Sequence, residues 1–309
     1  MQLVRGQHNL RARHKGCAAT IGNFDGVHLG HQAVFNALRD KAKQLAVPSV
    51  VVLFEPQPME FFQPQQAPPR LTRLREKLIH IRGCGIDRVM LLKFNQQLAS
   101  LAAESFVRRV LVGGLGVRYL YVGDDFRFGR GRKGDFSLLR RMGEEQGFSV
   151  QGMDTVCHEG CRISSTRIRE ALAAGDFPSA ELCLGRPYQI CGRVGHGEKR
   201  GRLIGFPTLN VSLHRRSSPV QGVFAVLVQG LGERDLPGVA NVGSRPTVDG
   251  GDRPLLEVHL FDFDRQVYGS PVGVTFLRKI RDERKFSSFE ALRQQILLDA
   301  AQARNILQT

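Results

Sequence analysis

The sequence has no tryptophan and four tyrosines among its 309 residues. A surface for stacking unpaired bases would have to be built from phenylalanine. No apolar run reaches the ~20 residues that a bilayer demands; VPSVVVLF (47–54) is among the longest. The stretch MQLVRGQHNLRARHKG is charged and is not followed by the apolar segment of a secretory leader. A cytoplasmic protein with no membrane partner is expected. The cysteines, at 17, 84, 157, 161, 183 and 191, include no C-x-x-C pair. Neither a zinc ribbon nor a disulfide framework is expected from that spacing. Cys157-His158-Glu159-Gly160-Cys161 lacks the second cluster that a structural zinc site needs.

Charge is what the chain has in excess. Lysine and arginine number 44 against 29 acidic residues, a net charge of +15. The densest groups, RGRK (130–133), EKRGR (198–202) and HRR (214–216), are scattered through loop-like stretches. Such dispersion suits small anionic substrates better than a nucleic-acid groove, so no nucleic-acid partner is expected. Self-association is expected to be weak at most. A hydrophobic content of 42% with 24% charged residues is ordinary for a globular chain.

The two halves follow different patterns. CAATIG (17–22), VPSVVVLF (47–54), IDRVMLLKF (86–94) and VRYLYVG (117–123) read as strands, with another near 148–156. Between them, amphipathic stretches over 31–46, 71–83, 104–111 and 135–147 read as helices. This alternation predicts a parallel sheet covered by helices. After about residue 186, YQICGRV, GVFAVLVQ, LEVHLFD and VGVTFLRKI are short strands separated by turn residues. They predict a small antiparallel barrel closed by a helix over 288–307. The fold class is α/β: a Rossmann-like parallel-sheet domain over 1–185, then a β-barrel domain with a carboxy-terminal helix over 186–309.

In the first half, TIGNFDGVHLGH (20–31) spaces Gly22, Gly26 and Gly30 evenly, which matches neither the Rossmann nor the Walker template. It follows a strand and opens a helix, where parallel sheets bind phosphates. His28 and His31 share a helical face, and imidazoles there can donate hydrogen bonds to phosphoryl oxygens. ISSTRIREAL (163–172) starts another helix, with Ser164, Ser165 and Thr166 as possible caps. Arg167 and Arg169 lie in its first turn, where the helix dipole favours acids. Hydroxyls, amide N–H groups and Arg169 together suggest an anion pocket. Phe54 of FEPQP and Phe126 of VGDDFRFGRGRKG end strands on the ligand-bearing side of such a sheet, as aromatic walls or core residues alike.

GNFDGVHLGH, FEPQP, VGDDFRFG and ISSTRIR together resemble, in order, the motifs of the flavin adenylyltransferase module of bacterial bifunctional riboflavin kinase/FAD synthetases. The resemblance implies transfer of AMP from ATP to FMN with release of pyrophosphate. It implies catalytic roles for His28, His31 and Arg169. It also implies nucleotide or flavin contacts at Gly22, Asn23, Phe24, Gly30, Asp125, Phe126, Ser165 and Thr166.

In the second half, GRVGHGEKRGRLIGFPTLN (192–210) is a glycine-rich basic loop leading to Thr208 and Asn210, which share a strand face. Hydroxyl and amide oxygens two residues apart can reach one hard cation such as Mg²⁺, or can simply decorate an exposed strand. On LEVHLFDF, Glu257, His259 and Phe261 alternate with Val258 and Leu260, and an acid so placed could accept a substrate proton. GRLIGFPTLN, NVGSRPTV and FLRKIRDERKFSSFEALRQQI are similar to the riboflavin kinase module of the same family. That similarity implies Thr208 and Asn210 as Mg-ATP ligands, Glu257 as general base, and Gly195, Lys199 and Arg202 around the phosphates. ATP with Mg²⁺ would serve both sites, with riboflavin, FMN and FAD as substrates and products.

Overall fold

The computed structural model describes residues 1–153, 156–158, 160–196, 206–246 and 252–308. They form two compact units, residues 1–67 with 74–163, and residues 68–73 with 164–309.

The first unit contains β1 (Gln2–Arg5), β2 (Cys17–Ile21), α1 (Leu29–Gln44), β3 (Ser49–Glu55), α2 (Pro58–Phe62) and α3 (Leu74–Gly83). It continues with β4 (Arg88–Lys93), α4 (Gln96–Ala99), α5 (Ala103–Phe106), β5 (Val117–Val122), α6 (Phe136–Gln146) and β6 (Ser149–Gly152). A hairpin of β7 (Cys157–His158) and β8 (Cys161–Arg162) completes it. The six long strands are parallel in the order β1-β4-β3-β2-β5-β6. Every residue of β2 and the first five of β3 are buried, because helices cover both faces. That double burial is why these strands read as continuous apolar runs. From β2 the chain steps to β3 and β4 on one side, then returns to β5 on the other. The carboxy-terminal ends of β2 and β5 therefore flank the switch point, where open α/β sheets bind ligands.

Helix α1 buries Val34, Phe35, Leu38 and Ala42, a stripe at helical spacing, against Ala18, Val51 and Leu53. Each fully buried large side chain in that stripe contributes about 1.5–3 kcal/mol. The helix expected over 104–111 takes a different form. After one α-helical turn it widens into a π-helix over Val107–Leu115, ended by left-handed Gly116 (φ 57°). Val107, Leu111 and Leu115, at every fourth position, are all buried on the core side of this i→i+5 winding. Strand β1 was not anticipated; it pairs along β4 at the sheet edge.

The second unit begins with α7 (Ser165–Ala174) and α8 (Phe177–Leu184). Strands β9 (Gln189–Gly195), β10 (Leu209–Ser212), β11 (Gly222–Gln229), β12 (Leu236–Pro246), β13 (Asp252–Leu260) and β14 (Pro271–Arg281) follow. They close an antiparallel barrel in the order β10-β13-β12-β11-β14-β9, and α9 (Phe289–Leu307) ends the chain. Strand β12 escaped the sequence reading because glycine, proline and asparagine interrupt its apolar pattern. Inside the barrel Phe224 and Phe276 meet edge to face at 5.2 Å, and Phe177 of α8 packs on both. On the outer face Val223, Ala225, Val239 and Phe261 pack against Ala300 and Ala303 of α9. The buried Asp299 carboxylate is matched by Arg281, whose Nε and Nη2 donate at 3.0 and 2.7 Å. A pair that well formed keeps α9 in register without leaving a buried charge uncompensated.

Residues 68–73 join the second unit through their carbonyls. Arg169 Nε donates to Pro69 at 2.7 Å, Arg215 Nη1 to Arg70 at 2.8 Å and the Tyr188 hydroxyl to Leu71 at 3.3 Å. The functional boundary expected at 185/186 falls inside this unit, after α7 and α8.

Gly143, inside α6, gives a test of packing against propensity. Alanine usually gains about 1 kcal/mol over glycine in a helix. Here a Cβ would lie 2.5 Å from the Phe148 carbonyl oxygen, which backbone geometry holds in place. Gly143→Ala should therefore lower the melting temperature by a few degrees, read by calorimetry, where propensity alone would raise it.

Candidate active sites

The first site grows from the end of β2. Gly22 continues the parallel pairing, donating to the Val52 carbonyl at 3.2 Å, and its bare Cα faces the Phe24 ring. The chain then turns through left-handed conformations at Phe24 (φ 44°), Gly26 (φ 86°) and Val27 (φ 45°). For Phe and the β-branched Val each such conformation costs of order 1–3 kcal/mol and needs surrounding structure to enforce it. Phe24, Asp25, Val27 and His28 are all buried. Phe24 packs against Phe35 at 4.9 Å and presents an edge to His31 at 5.1 Å.

His28 is the N-cap of α1. Its Nδ1 accepts the His31 amide N–H at 3.3 Å, satisfying one of the helix's free donors. Because Nδ1 accepts, the hydrogen of the neutral ring resides on Nε2. The two imidazoles stack with centroids 3.5 Å apart at 18°. Gly30 permits the stack, since a Cβ there would stand 3.1 Å from the His28 ring. His31 Nδ1 is buried without a hydrogen-bond partner. Burial, then the neighbouring His28 and Lys77, hold the His31 pKa well below its ordinary 6.5. The two stacked rings stand at a helix amino terminus beside the switch point.

Asn23 is exposed and gives its carbonyl to the Lys77 ammonium at 2.5 Å. Beyond β5, Asp125 is exposed and pairs with Arg162 of β8 at 3.6 Å. Phe126 is partly buried and stacks on Phe128 at 5.5 Å, so it leans on the core. The loops after β2 and β5 thus leave the sheet on the same rim. Four phenylalanines at and beyond the ends of β3 and β4 form a cluster of which sequence reasoning singled out only Phe54. Phe54, Phe61 and Phe62 surround Phe94 at 5.5–5.7 Å, and Phe62 remains 60% exposed. The FEPQP motif pointed at Phe54 alone; the doubled aromatic that follows it was the unused signal.

Ser165, Thr166 and Arg169 are placed in the second unit, on α7. Ser164 proves to be the cap, its hydroxyl accepting the Arg167 amide at 3.2 Å. Ser165 and Thr166 occupy the first turn, and Arg169 commits its Nε to the Pro69 carbonyl.

In the barrel, strand register assembles the second site. Asn210 lies directly opposite Glu257, and Glu257 opposite Asn241, with Gly195 on the far side of Asn210. Directly paired residues on adjacent strands share a face with Cβ atoms about 4.5–5.5 Å apart. The neighbours Val211, Leu256 and Val258 are fully buried inside, so Asn210, Glu257 and Asn241 form a polar row on the outer face. Exposed Thr208 precedes β10. Its approach is anchored by His259, whose Nδ1 donates to the Pro207 carbonyl at 2.9 Å and whose ring meets Phe206 at 4.9 Å. Lys199 and Arg202 lie outside the described residues.

Two family models match the chain in succession. The FAD synthetase family model matches residues 10–167, and the riboflavin kinase model matches residues 184–307. A relative from Pseudomonas fluorescens is 55% identical over 98% of this chain and 97% of its own length. One from Escherichia coli K12 is 52% identical with the same coverage. Both are named bifunctional riboflavin kinase/FMN adenylyltransferase. This chain belongs to that family. A crystal structure described as a macrolide-efflux protein from Streptococcus pneumoniae superposes with a TM-score of 0.80 at 31% identity, covering 99% of each chain. Among the described residues no helix is long and apolar enough to cross a membrane.

Within this family member a cavity of about 360 Å³ opens beside the polar row. Gln221, Lys279, Asp282 and Glu283 line it, with Ser218 and Ala173. Glu283 lies over the bare Cα of Gly243, two residues along β12 from Asn241 and on the same face. Cavity and row are therefore neighbours.

The lowered His31 pKa links protonation to stability. The unfolded chain takes up this proton at the ordinary 6.5, the folded chain only at lower pH, so acid favours unfolding. The stabilisation is complete above that value and drains away as pH falls below it. His14, also lowered by burial and then by Arg88, acts in the same direction. In paired melts at pH 7.5 and 5.5, His31→Gln should lose less melting temperature on acidification than the wild type.

Proposed function

We propose that the two activities of the family occupy these two sites, adenylyl transfer in the region 1–185 and riboflavin phosphorylation in the region 186–309. The observation that carries the reading is that each region holds an intact polar constellation suited to one chemistry. His28 and His31 stand at a helix start on the ligand-binding rim. Glu257 stands between two asparagines on the barrel face.

In the barrel, the Glu257 carboxylate takes the proton of the terminal ribityl hydroxyl as that oxygen attacks the γ-phosphorus of ATP. The bond to the β-phosphate oxygen breaks and ADP leaves. The neighbouring cavity, of a volume that accommodates a fused tricyclic ring, receives the isoalloxazine. Residues two apart along a strand are about 6.6 Å apart, a span the ribityl chain can bridge from Gly243 to the Glu257 row. Thr208 and Asn210 offer oxygen donors only. Hydroxyl and amide oxygens are donors that suit a hard cation such as Mg²⁺ carried with ATP's phosphates. When bound, that ion would neutralise charge on the transferring group. Gly195, Lys199 and Arg202 bracket the phosphates in the proposal.

At the first site an oxygen of the FMN phosphate attacks the α-phosphorus of ATP and pyrophosphate departs. His28, through its Nε2–H, and His31 donate to the phosphoryl oxygens as charge builds. Gly22, Asn23, Phe24 and Gly30 shape the approach of the nucleotide. Ser165, Thr166 and Arg169, in the first turns of α7, are proposed to bind phosphate, and Asp125 and Phe126 to line the rim of the sheet. The exposed Phe61, Phe62 and Phe94 faces offer a stacking surface for the isoalloxazine of FMN. The excess positive charge serves ATP and FMN, and a cytoplasmic location suits those soluble substrates.

The two assignments separate cleanly by mutation. Glu257→Gln should reduce FMN formation from riboflavin by ~10²–10⁴-fold, the range of general-base contributions, while FAD formation from supplied FMN stays intact. His28→Ala should do the reverse, at a cost of ~10²–10³-fold. Chromatographic assay of both products for both variants decides it; loss of both activities in either variant refutes the two-site assignment.

A further inference from the structure

Lysines are seldom buried unless their charge is engaged. Lys77 on α3 is 2% exposed, and sequence reasoning gave it no role because it lies on an ordinary amphipathic helix. Its Nζ donates to the Asn23 carbonyl at 2.5 Å. That carbonyl immediately precedes the left-handed turn at Phe24, Gly26 and Val27, and the turn ends at His28. Strained backbone persists only where its surroundings over-determine it, and a charge-assisted hydrogen bond in a dry setting is a strong constraint.

We propose that Lys77 is a positioning residue of the adenylyl-transfer site, its ammonium fixing the Asn23 carbonyl so that the turn delivers His28 and His31 in their stacked geometry. The clamp comes from α3, a different element from the one that carries the histidines, so the loop between β2 and α1 is also held from outside itself. The ammonium also adds fixed positive charge near His31. It acts with burial and with His28 to keep that ring neutral. A neutral pair is what donor chemistry at a helix start requires, since two stacked imidazolium ions would repel. Lys77 touches no substrate in this scheme; it acts through Asn23 and His31.

The inference rests on the assignment of adenylyl transfer to His28 and His31, and the experiment separates the two. Full-length wild type, Lys77→Met and Lys77→Arg are assayed for FAD from FMN and ATP, and for FMN from riboflavin and ATP. Lys77→Met should lose at least about tenfold in kcat for FAD formation, with KM for FMN within about threefold and FMN formation unchanged. Lys77→Arg, which keeps the cation, should recover much of the lost kcat. The proposal is overturned if Lys77→Met keeps FAD formation within about twofold, if it loses FMN binding or FMN formation as well, or if Lys77→Arg is no better than Lys77→Met. A His28→Ala variant that still makes FAD at the wild-type rate would instead overturn the underlying assignment.

Discussion

One hydrogen bond, from the His31 amide to His28 Nδ1, ties together folding and chemistry in the first unit. It caps α1, so the helix can begin where the loop from β2 delivers it. It also decides which imidazole nitrogen of His28 carries the hydrogen, leaving Nε2–H as donor. A serine would cap as well, but it would not offer the stacked ring that packs on His31. The glycine between the two histidines follows from the same constraint, because any Cβ there would press on the His28 ring. The strained turn upstream is the cost of bringing a capping histidine up against the carboxy-terminal rim of the sheet so abruptly.

The barrel solves placement differently. There the polar groups sit on paired strands, whose register sets them side by side without any unusual dihedral angle. Interior residues such as Val211, Leu256 and Val258 hold the strands from within, leaving the alternate face free to be polar. Helix α9 covers the part of that face where the row turns apolar, at Val223 and Ala225, and the Arg281–Asp299 pair fixes its position. Rigid strands suit a base that must stay aligned with one hydroxyl.

Much of this was legible in the sequence, for reasons particular residues make plain. Doubly buried strands announce themselves as apolar runs, so VPSVVVLF mapped onto β3 almost unaltered. GVFAVLVQ mapped onto β11 residue for residue. The histidines and Glu257 stood out because a local pattern broke at each. Pairings across strands are another matter. That Asn210 meets Glu257, and Glu257 meets Asn241, depends on register, which no local pattern carries. NVGSRPTV was noted as a motif, but Asn241's place beside Glu257 was not visible in it. Lys77 escaped because its partner is a backbone carbonyl fifty-four residues away, and a carbonyl has no sequence signature. The attachment of residues 68–73 to the second unit was hidden likewise, since Arg169, Tyr188 and Arg215 reach their carbonyls.

The division of labour between imidazole and carboxylate has a chemical logic of its own. The nucleophile in adenylyl transfer is a phosphate oxygen of FMN, and a phosphate monoester has its second pKa near 6. It is already anionic at neutral pH, so a base would have nothing to remove. What the reaction lacks is stabilisation of charge at the α-phosphate, which neutral donors at a helix start supply without adding protons. The nucleophile in the kinase step is an alcohol, which keeps its proton at any physiological pH. It needs a base within hydrogen-bond reach as attack begins. The first unit carries its stacked histidines at a helix start, and the barrel places Glu257 among amides that cannot titrate. On the proposed assignment, the residue types at the two sites match the protonation states of the two nucleophiles.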